Sequence, residues 1–124
     1  DGNRPSGNNL IDLFAYLIRK YGRMDTSEYA RIMQLKTSEL RGAILAIGGM
    51  SAMEWRNRYL LLEAQELMER TDMSITAIAA KLGFSQPSVF SKFFRTLTKS
   101  QPWEWRIEKK KPGSNRKRTY HCYE

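Results

Sequence analysis

An all-α fold of about seven helices is what this sequence predicts, and three observations carry that prediction. Apolar residues recur at i, i+3, i+4 and i+7 in successive runs, the spacing of amphipathic helices. Glycines at Gly22, Gly48-Gly49 and Gly83 close those runs, while Pro87 and Pro102 stand where new ones open. Between Ile75 and Arg106, two short helices are joined by a glycine turn, and the second is polar and basic on one face. With 41% apolar residues in 124, the chain can bury a core, as one domain or as two very small lobes sharing a connector.

Residues 1–8 belong to a turn-rich segment expected to be flexible. The first helix is expected from Asn9, with Asp12 in its first turn and Leu10, Leu13, Phe14, Leu17, Ile18 and Tyr21 inward. Asp25 with Glu28 resembles a capping box for a short helix carrying Tyr29, Ile32 and Met33. After a turn at Gln34–Lys36, a third helix points Leu40, Ile44 and Ile47 inward; Leu45, on the opposite side, is read as half-buried. A long helix from Ser51 to about Arg70 carries Trp55, Tyr59, Leu62 and Leu67, and its roughly 20 residues extend about 30 Å.

Ser74 is a good N-cap for the next helix, though Ala77 three later cannot complete a capping box. Ile75, Ile78, Ala79 and Leu82 make its inner face, and Gly83 supplies a left-handed turn. Ser85 is expected to cap the helix that follows, with Pro87 in its first turn. There Phe90, Phe94 and Leu97 face the core, while Ser88, Lys92 and Arg95 share an outer face that stays wet unless something anionic meets it. Pro102 opens a last short helix with Trp103 and Trp105, both expected in the core with Trp55. From residue 109 a basic tail follows, with six Lys and Arg inside Lys109–Arg118, read as an arm that neutralises phosphates.

The charge balance narrows the partner. Twenty-one Lys and Arg against 13 Asp and Glu give +8, a surplus that favours a polyanion. Glu63, Glu66, Glu69 and Asp72 oppose it locally and are read as a solvated face of the connector. Cys122 is the one cysteine and His121 the one histidine, so no internal disulfide and no tetrahedral zinc site can be built. No cofactor is expected. No catalytic set of nucleophile, histidine and carboxylate is visible, nor a phosphate-cradling loop, so an enzyme is not expected. No run approaches the roughly 20 apolar residues that span a bilayer, and no membrane partner is expected. The six methionines are read as gap-fillers.

Residues 59–106 resemble the DNA-binding domain of the AraC/XylS (arabinose-regulator) family of bacterial transcription factors. The marks are Glu63-Ala64, Ile78-Ala79, Leu82-Gly83-Phe84, Phe90 and Phe94, Pro102, and Glu104-Trp105-Arg106. Lys99 departs from the family's usual glycine, and Leu60 from its usual basic residue. The resemblance implies two helix-turn-helix subdomains, each a homeodomain-like three-helix lobe, joined by the long helix. The expected parts are a first, degenerate lobe at 9–50, a connector at 51–70 and a second lobe at 71–108, with the tail at 109–124. DNA repeats its major groove every ~34 Å, so a connector of about 30 Å suits two recognition helices on successive turns.

The function expected is sequence-specific binding of double-stranded DNA by a bacterial transcription regulator in the cytoplasm. In the second lobe Gln86, Ser88 and Val89 are placed to meet base edges, Lys92 and Arg95 to meet phosphates or a guanine, and Ser85 to hold the helix start. In the first lobe the matching turn glycine, cap and two cations read Gln34, Lys36, Gly42 and Leu45, so only Lys36, Thr37, Ser38 and Arg41 remain as contacts. That lobe is expected to dock weakly. The chain opens at Asp1 rather than Met and is expected to be the output part of a longer protein. Its further partners would be a fused or separate sensor or dimerisation domain and RNA polymerase. The rival reading is a degenerate regulator lobe that holds another protein, or coats DNA without sequence preference.

Overall fold

A computed structural model of the chain describes residues 7–110, and the described residues form seven helices and no strand. They are α1 (Gly7–Tyr21), α2 (Thr26–Ile32), α3 (Thr37–Gly48), α4 (Ala52–Arg70), α5 (Ile75–Lys81), α6 (Pro87–Thr98) and α7 (Pro102–Lys110). The all-α expectation holds. The chain divides into two compact units between Leu60 and Leu61, within α4.

In the first unit α3 packs against both α1 and α2. Phe14, Ile18, Tyr29, Leu40 and Ile44 are wholly buried. The Phe14 ring meets Tyr29 edge-on at 5.2 Å and Trp55 at 5.4 Å, and Trp55 stacks on Tyr59. A polar clasp ties the α1–α2 turn to this core. The Tyr29 hydroxyl donates to the Gly22 carbonyl and accepts from the Met24 amide at 3.1 Å. Arg56, itself buried, donates to the Met24 carbonyl at 2.8 Å.

In the second unit α6 packs against α5 and α7. Phe90, Phe94, Ile78, Ala79, Leu97 and Trp105 are buried, and the Phe94 and Trp105 rings lie edge to face at 5.9 Å. The carbonyls of Met68 and Thr71, at the end of α4, accept from Arg106. Thr98 closes α6, its hydroxyl donating to the Phe94 carbonyl at 2.9 Å.

Several expectations need correction. The first helix starts at Gly7, so Asp12 stands beyond the first turn, which carries no carboxylate. Tyr21, Ile47 and Leu62 are exposed. For Ile47 the reason is that Gly48 takes the inner place: a Cβ there would sit 3.1 Å from the Trp55 ring. Trp103 is 58% exposed, because residues two apart on a helix face opposite ways and Trp105 has the inner side. Leu45 is 57% exposed, one step round the helix from buried Ile44, and is not half-buried. Ile75 is only partly covered, while Ile78, Ala79 and Leu82 are buried. Of the methionines Met68 does fill core, whereas Met53 is exposed.

Asp72, just beyond α4, is fully solvated as expected, 3.7 Å from Lys110. On α4 itself Glu66 pairs with Arg70 and Glu69 lies 3.8 Å from Lys109. Lys109 and Lys110, expected in the tail, therefore form the last turn of α7. The remainder of the basic tail, His121, Cys122 and the N-terminal segment 1–6 lie outside the described residues.

Candidate nucleic-acid interface

The strongest candidate surface begins with the turn between α5 and α6. Ser74 caps α5, its hydroxyl accepting from the Ala77 amide at 3.0 Å. Gly83 takes the left-handed conformation (φ 86°) that ends the helix, and the Phe84 amide returns to the Ala79 carbonyl at 3.0 Å. Phe84 is then driven into the core, its ring 5.2 Å from Phe90 and 5.0 Å from Phe93. These contacts fix the angle at which α6 leaves the turn.

The start of α6 differs from expectation by one residue. Gln86 is the N-cap, extended and without a side-chain cap bond, and Pro87 is the first helical residue. Ser85 therefore lies one position ahead of the cap. The proline explains the shift: its ring suits the first helical position, and the residue before a proline is pushed to extended backbone.

Ser85, Gln86, Ser88, Val89, Lys92 and Arg95 are all exposed; α6 carries the last four on its outer side while Phe90, Phe94 and Leu97 occupy the inner one, and Ser85 and Gln86 lie just ahead of it. Thr96 and Lys99 are exposed beyond them; Thr96 carries no signal in the sequence, and Lys99 stood out there only as a departure from glycine. No Asp or Glu occurs between Met73 and Trp103, and the first turn of α6 has no carboxylate. An anion approaching this face meets the cations Lys92, Arg95 and Lys99 with no fixed negative charge on α6 to oppose it.

The first unit repeats the geometry with different side chains. Gln34 adopts the left-handed turn (φ 61°) that Gly83 makes, and the Leu35 amide returns to the Ala30 carbonyl at 2.9 Å as Phe84 does to Ala79. From the N-caps onward α3 and α6 correspond residue for residue, fifty positions apart. Lys36 matches Gln86, Leu45 matches Arg95, and each helix ends on a left-handed residue, Gly49 or Lys99. The turn is thus present without its glycine. Lys36, Ser38 and Arg41 are exposed and Thr37 is half-buried on the first two turns of α3.

Two differences weaken this surface for an anion. Lys36 has no acceptor to cap with; instead Glu39 accepts from the Lys36 amide at 2.8 Å, placing a carboxylate in the first turn. Gly42 and Leu45 stand where α6 has Lys92 and Arg95. The doubling also extends past the two helices. Glu54-Trp55-Arg56 and Glu104-Trp105-Arg106 recur fifty residues apart, and both arginines bind main-chain carbonyls. The repeated tripeptide marks the duplication in the sequence itself.

Two groups near the first unit's core are shifted by burial. Desolvation raises the Tyr29 phenol above its usual value, against smaller lowering by the Met24 amide and the Arg56 charge. Desolvation also lowers the Arg56 guanidinium. Neither belongs to the exposed face of α3. Among the described residues no cluster of three or more His, Cys, Asp or Glu could hold a metal ion.

A pair of helix-turn-helix units, each with an outward second helix, is the class of structure these observations define. A family profile described as a helix-turn-helix domain matches residues 29–107, and the chain belongs to this helix-turn-helix family, in its AraC type. Over 58 residues the chain is 41% identical to the regulatory protein PocR of Salmonella typhimurium, a match covering 47% of this chain and 19% of that protein. The chain thus spans about a fifth of that relative's length. Its fold is similar to a transcriptional regulator with an AraC-type DNA-binding domain from Chromobacterium violaceum (TM-score 0.71, 23% identity, 90% of this chain and 98% of that one). It is similar also to the C-terminal domain of AraT, a response regulator from Geobacillus stearothermophilus (TM-score 0.73, 19% identity, 98% and 100%). A third similar structure is the DNA-binding domain of the transcriptional factor AdpA, in complex with a target DNA (TM-score 0.72, 21% identity, 85% and 97%).

Proposed function

We propose that this chain binds double-stranded DNA sequence-specifically, as the output part of a bacterial transcription regulator working in the cytoplasm and without enzymatic activity. The observation that carries the reading is the outer face of α6, polar, cationic and clear of carboxylates. Membership of the helix-turn-helix family supports it, as does the AdpA domain, which binds its target DNA in the same fold. Among the described residues no helix is long and apolar enough to cross a membrane.

In this reading α6 enters the major groove. Gln86, Ser88 and Val89 meet base edges near the helix start, Lys92 and Arg95 meet a guanine or phosphates, and Ser85 meets a phosphate from the lead-in. Lys36, Thr37, Ser38 and Arg41 serve the first lobe (9–50), which docks more weakly than the second (71–108) across the connector (51–70). A sensor or dimerisation domain, fused or separate, and RNA polymerase complete the proposed partners.

Selection of bound duplexes from a random library tests the proposal. A preferred sequence should emerge, random duplex at modest excess should fail to displace it, and log K should fall by roughly 0.9 per contacted phosphate per unit of log salt. No enrichment, with random duplex competing equally, would replace the regulator with a non-specific DNA coat. A flat salt response would remove DNA altogether.

A further inference from the structure

We infer that α3 reads thymine in the major groove through Leu45, and that Gly42 lets the duplex approach closely enough for it to do so. The inference rests on the DNA-binding reading above and adds a base-specificity determinant in the first lobe. Three observations lead to it.

First, α3 and α6 share their length, their turn hydrogen bonds and their left-handed C-caps. The Leu45 carbonyl accepts from the Gly49 amide as the Arg95 carbonyl accepts from the Lys99 amide. Leu45 therefore stands on the part of its helix that Arg95 occupies on α6. Second, Leu45 is 57% exposed and borders a shallow cavity with Arg41, Thr26, Ser51 and Met53. More than half of this leucine is left uncovered by its own unit. The major groove offers one apolar group to match it, the C5 methyl of thymine.

Third, Gly42 has no internal reason to be glycine. A Cβ there would meet nothing within 4 Å, and its backbone is not in the left-handed region. Glycine in a helix interior is unfavourable relative to alanine, so an exposed one with open space calls for something outside the helix. A surface pressed against the helix at this turn is such a thing. Lys92, the matching residue of α6, is a long exposed cation; Gly42 leaves its backbone open to close approach instead. Ser38 and Arg41, exposed one turn earlier, supply the polar contacts that set register. A protein seated on the same apolar spot would not need to lie against Gly42 and Arg41 in a chain carrying +8, which favours the duplex.

The experiment uses the full chain and its selected duplex. Each thymine is replaced singly by deoxyuridine, which removes only the methyl group. Wild type should lose about fourfold in affinity for each methyl that Leu45 buries, the equivalent of one buried methyl. Leu45→Ala should lose a similar factor on the thymine duplex and become indifferent to uridine at those positions, while Arg95→Ala keeps the uridine effect. Gly42→Ala should raise the melting temperature of the free protein yet weaken binding several-fold. Leu45→Ser, made at the same exposed position, guards against a specific defect of the alanine variant. Uridine at every position without effect, or equal uridine sensitivity in Leu45→Ala, overturns the inference while leaving duplex binding and its salt slope intact. Loss of a second protein's binding in Leu45→Ala, with duplex affinity unchanged, overturns it in favour of a protein contact. Absence of duplex binding by wild type under low salt instead sinks the DNA reading itself.

Discussion

Arg56 and Arg106 stand fifty residues apart and do the same work in different units. Each follows a Glu-Trp pair and turns its guanidinium onto the main chain, Arg56 in the turn between α1 and α2 and Arg106 at the end of α4. Arg56 holds Met24; Arg106 holds Met68 at 3.0 Å and Thr71 at 2.8 Å. The last carbonyls of α4 have no partner within it, so the planar donor fork of Arg106 fixes both that helix end and the chain leaving it.

Arg106→Ala should therefore destabilise the second unit by about 2–3 kcal/mol: it loses two charge-assisted bonds, worth about 1.5–3 kcal/mol each at full burial and less here because Arg106 is only partly buried. Arg106→Lys, with one point donor in place of a fork, should recover part of that. Urea midpoints measure both. If Arg106→Ala lowers DNA affinity under conditions where it remains fully folded, the residue touches DNA and its structural role is incomplete.

Left-handed backbone at Gln34 and Lys99 gives a second prediction. Both have positive φ (61° and 67°), which a side chain disfavours by about 1–2 kcal/mol and glycine does not. Gln34→Gly should stabilise the first unit by about 0.5–1 kcal/mol after glycine's entropic cost. Lys99→Gly should do the same in the second unit while reducing the salt slope, if Lys99 meets a phosphate, by about 0.9. Thermal melts of the two variants, set beside their salt titrations, separate these effects.

These same positions mark what the sequence could and could not reveal. Helix identities were legible because apolar spacing and glycine or proline punctuation agree along the chain. The Gly83 turn and the exposed Lys92 and Arg95 were legible because one residue type suffices for each. Gln34 hid the first turn's conformation, since nothing in a glutamine announces positive φ. Ser85 misled because a serine makes an attractive cap, yet Pro87 prefers the first helical position and moved the cap to Gln86. Trp103 and Ile47 misled for another reason: apolarity predicts burial, but Trp105 and Gly48 already hold the inner places beside them.

Tyr29 supplies a pH prediction for the first unit. Burial raises its phenol above the usual value near 10, so the folded state keeps it neutral where the unfolded chain ionises. The stability it contributes is fully present below about pH 10 and is lost as pH rises through the folded value. Tyr29→Phe should cost about 1–2 kcal/mol at neutral pH by stranding the Gly22 carbonyl and the Met24 amide. The gap between the two proteins should narrow above pH 10, where lysine titration affects both alike. Parallel stability curves from pH 8 to 11 would show that the hydroxyl contributes nothing through its ionisation.

Unequal lobes are the last prediction. On α6, Lys92 and Arg95 are exposed on a helix without a carboxylate; on α3, Arg41 stands with Glu39 in the preceding turn and with Gly42 and Leu45 after it. A long cation on a base edge is worth about 1–3 kcal/mol, roughly one to two decades of affinity. Lys92→Ala or Arg95→Ala should therefore cost at least one decade on the selected site and reduce its margin over a scrambled one. Arg41→Ala should cost less than a decade and leave that margin nearly unchanged, because the thymine preference assigned to α3 depends on Leu45. The three variants are compared at one salt concentration, on both duplexes, with melts confirming that each is folded. Should Arg41→Ala abolish discrimination while Lys92→Ala and Arg95→Ala leave it intact, the first lobe is the principal reader, and the lack of cations at Gly42 and Leu45 is no measure of its grip.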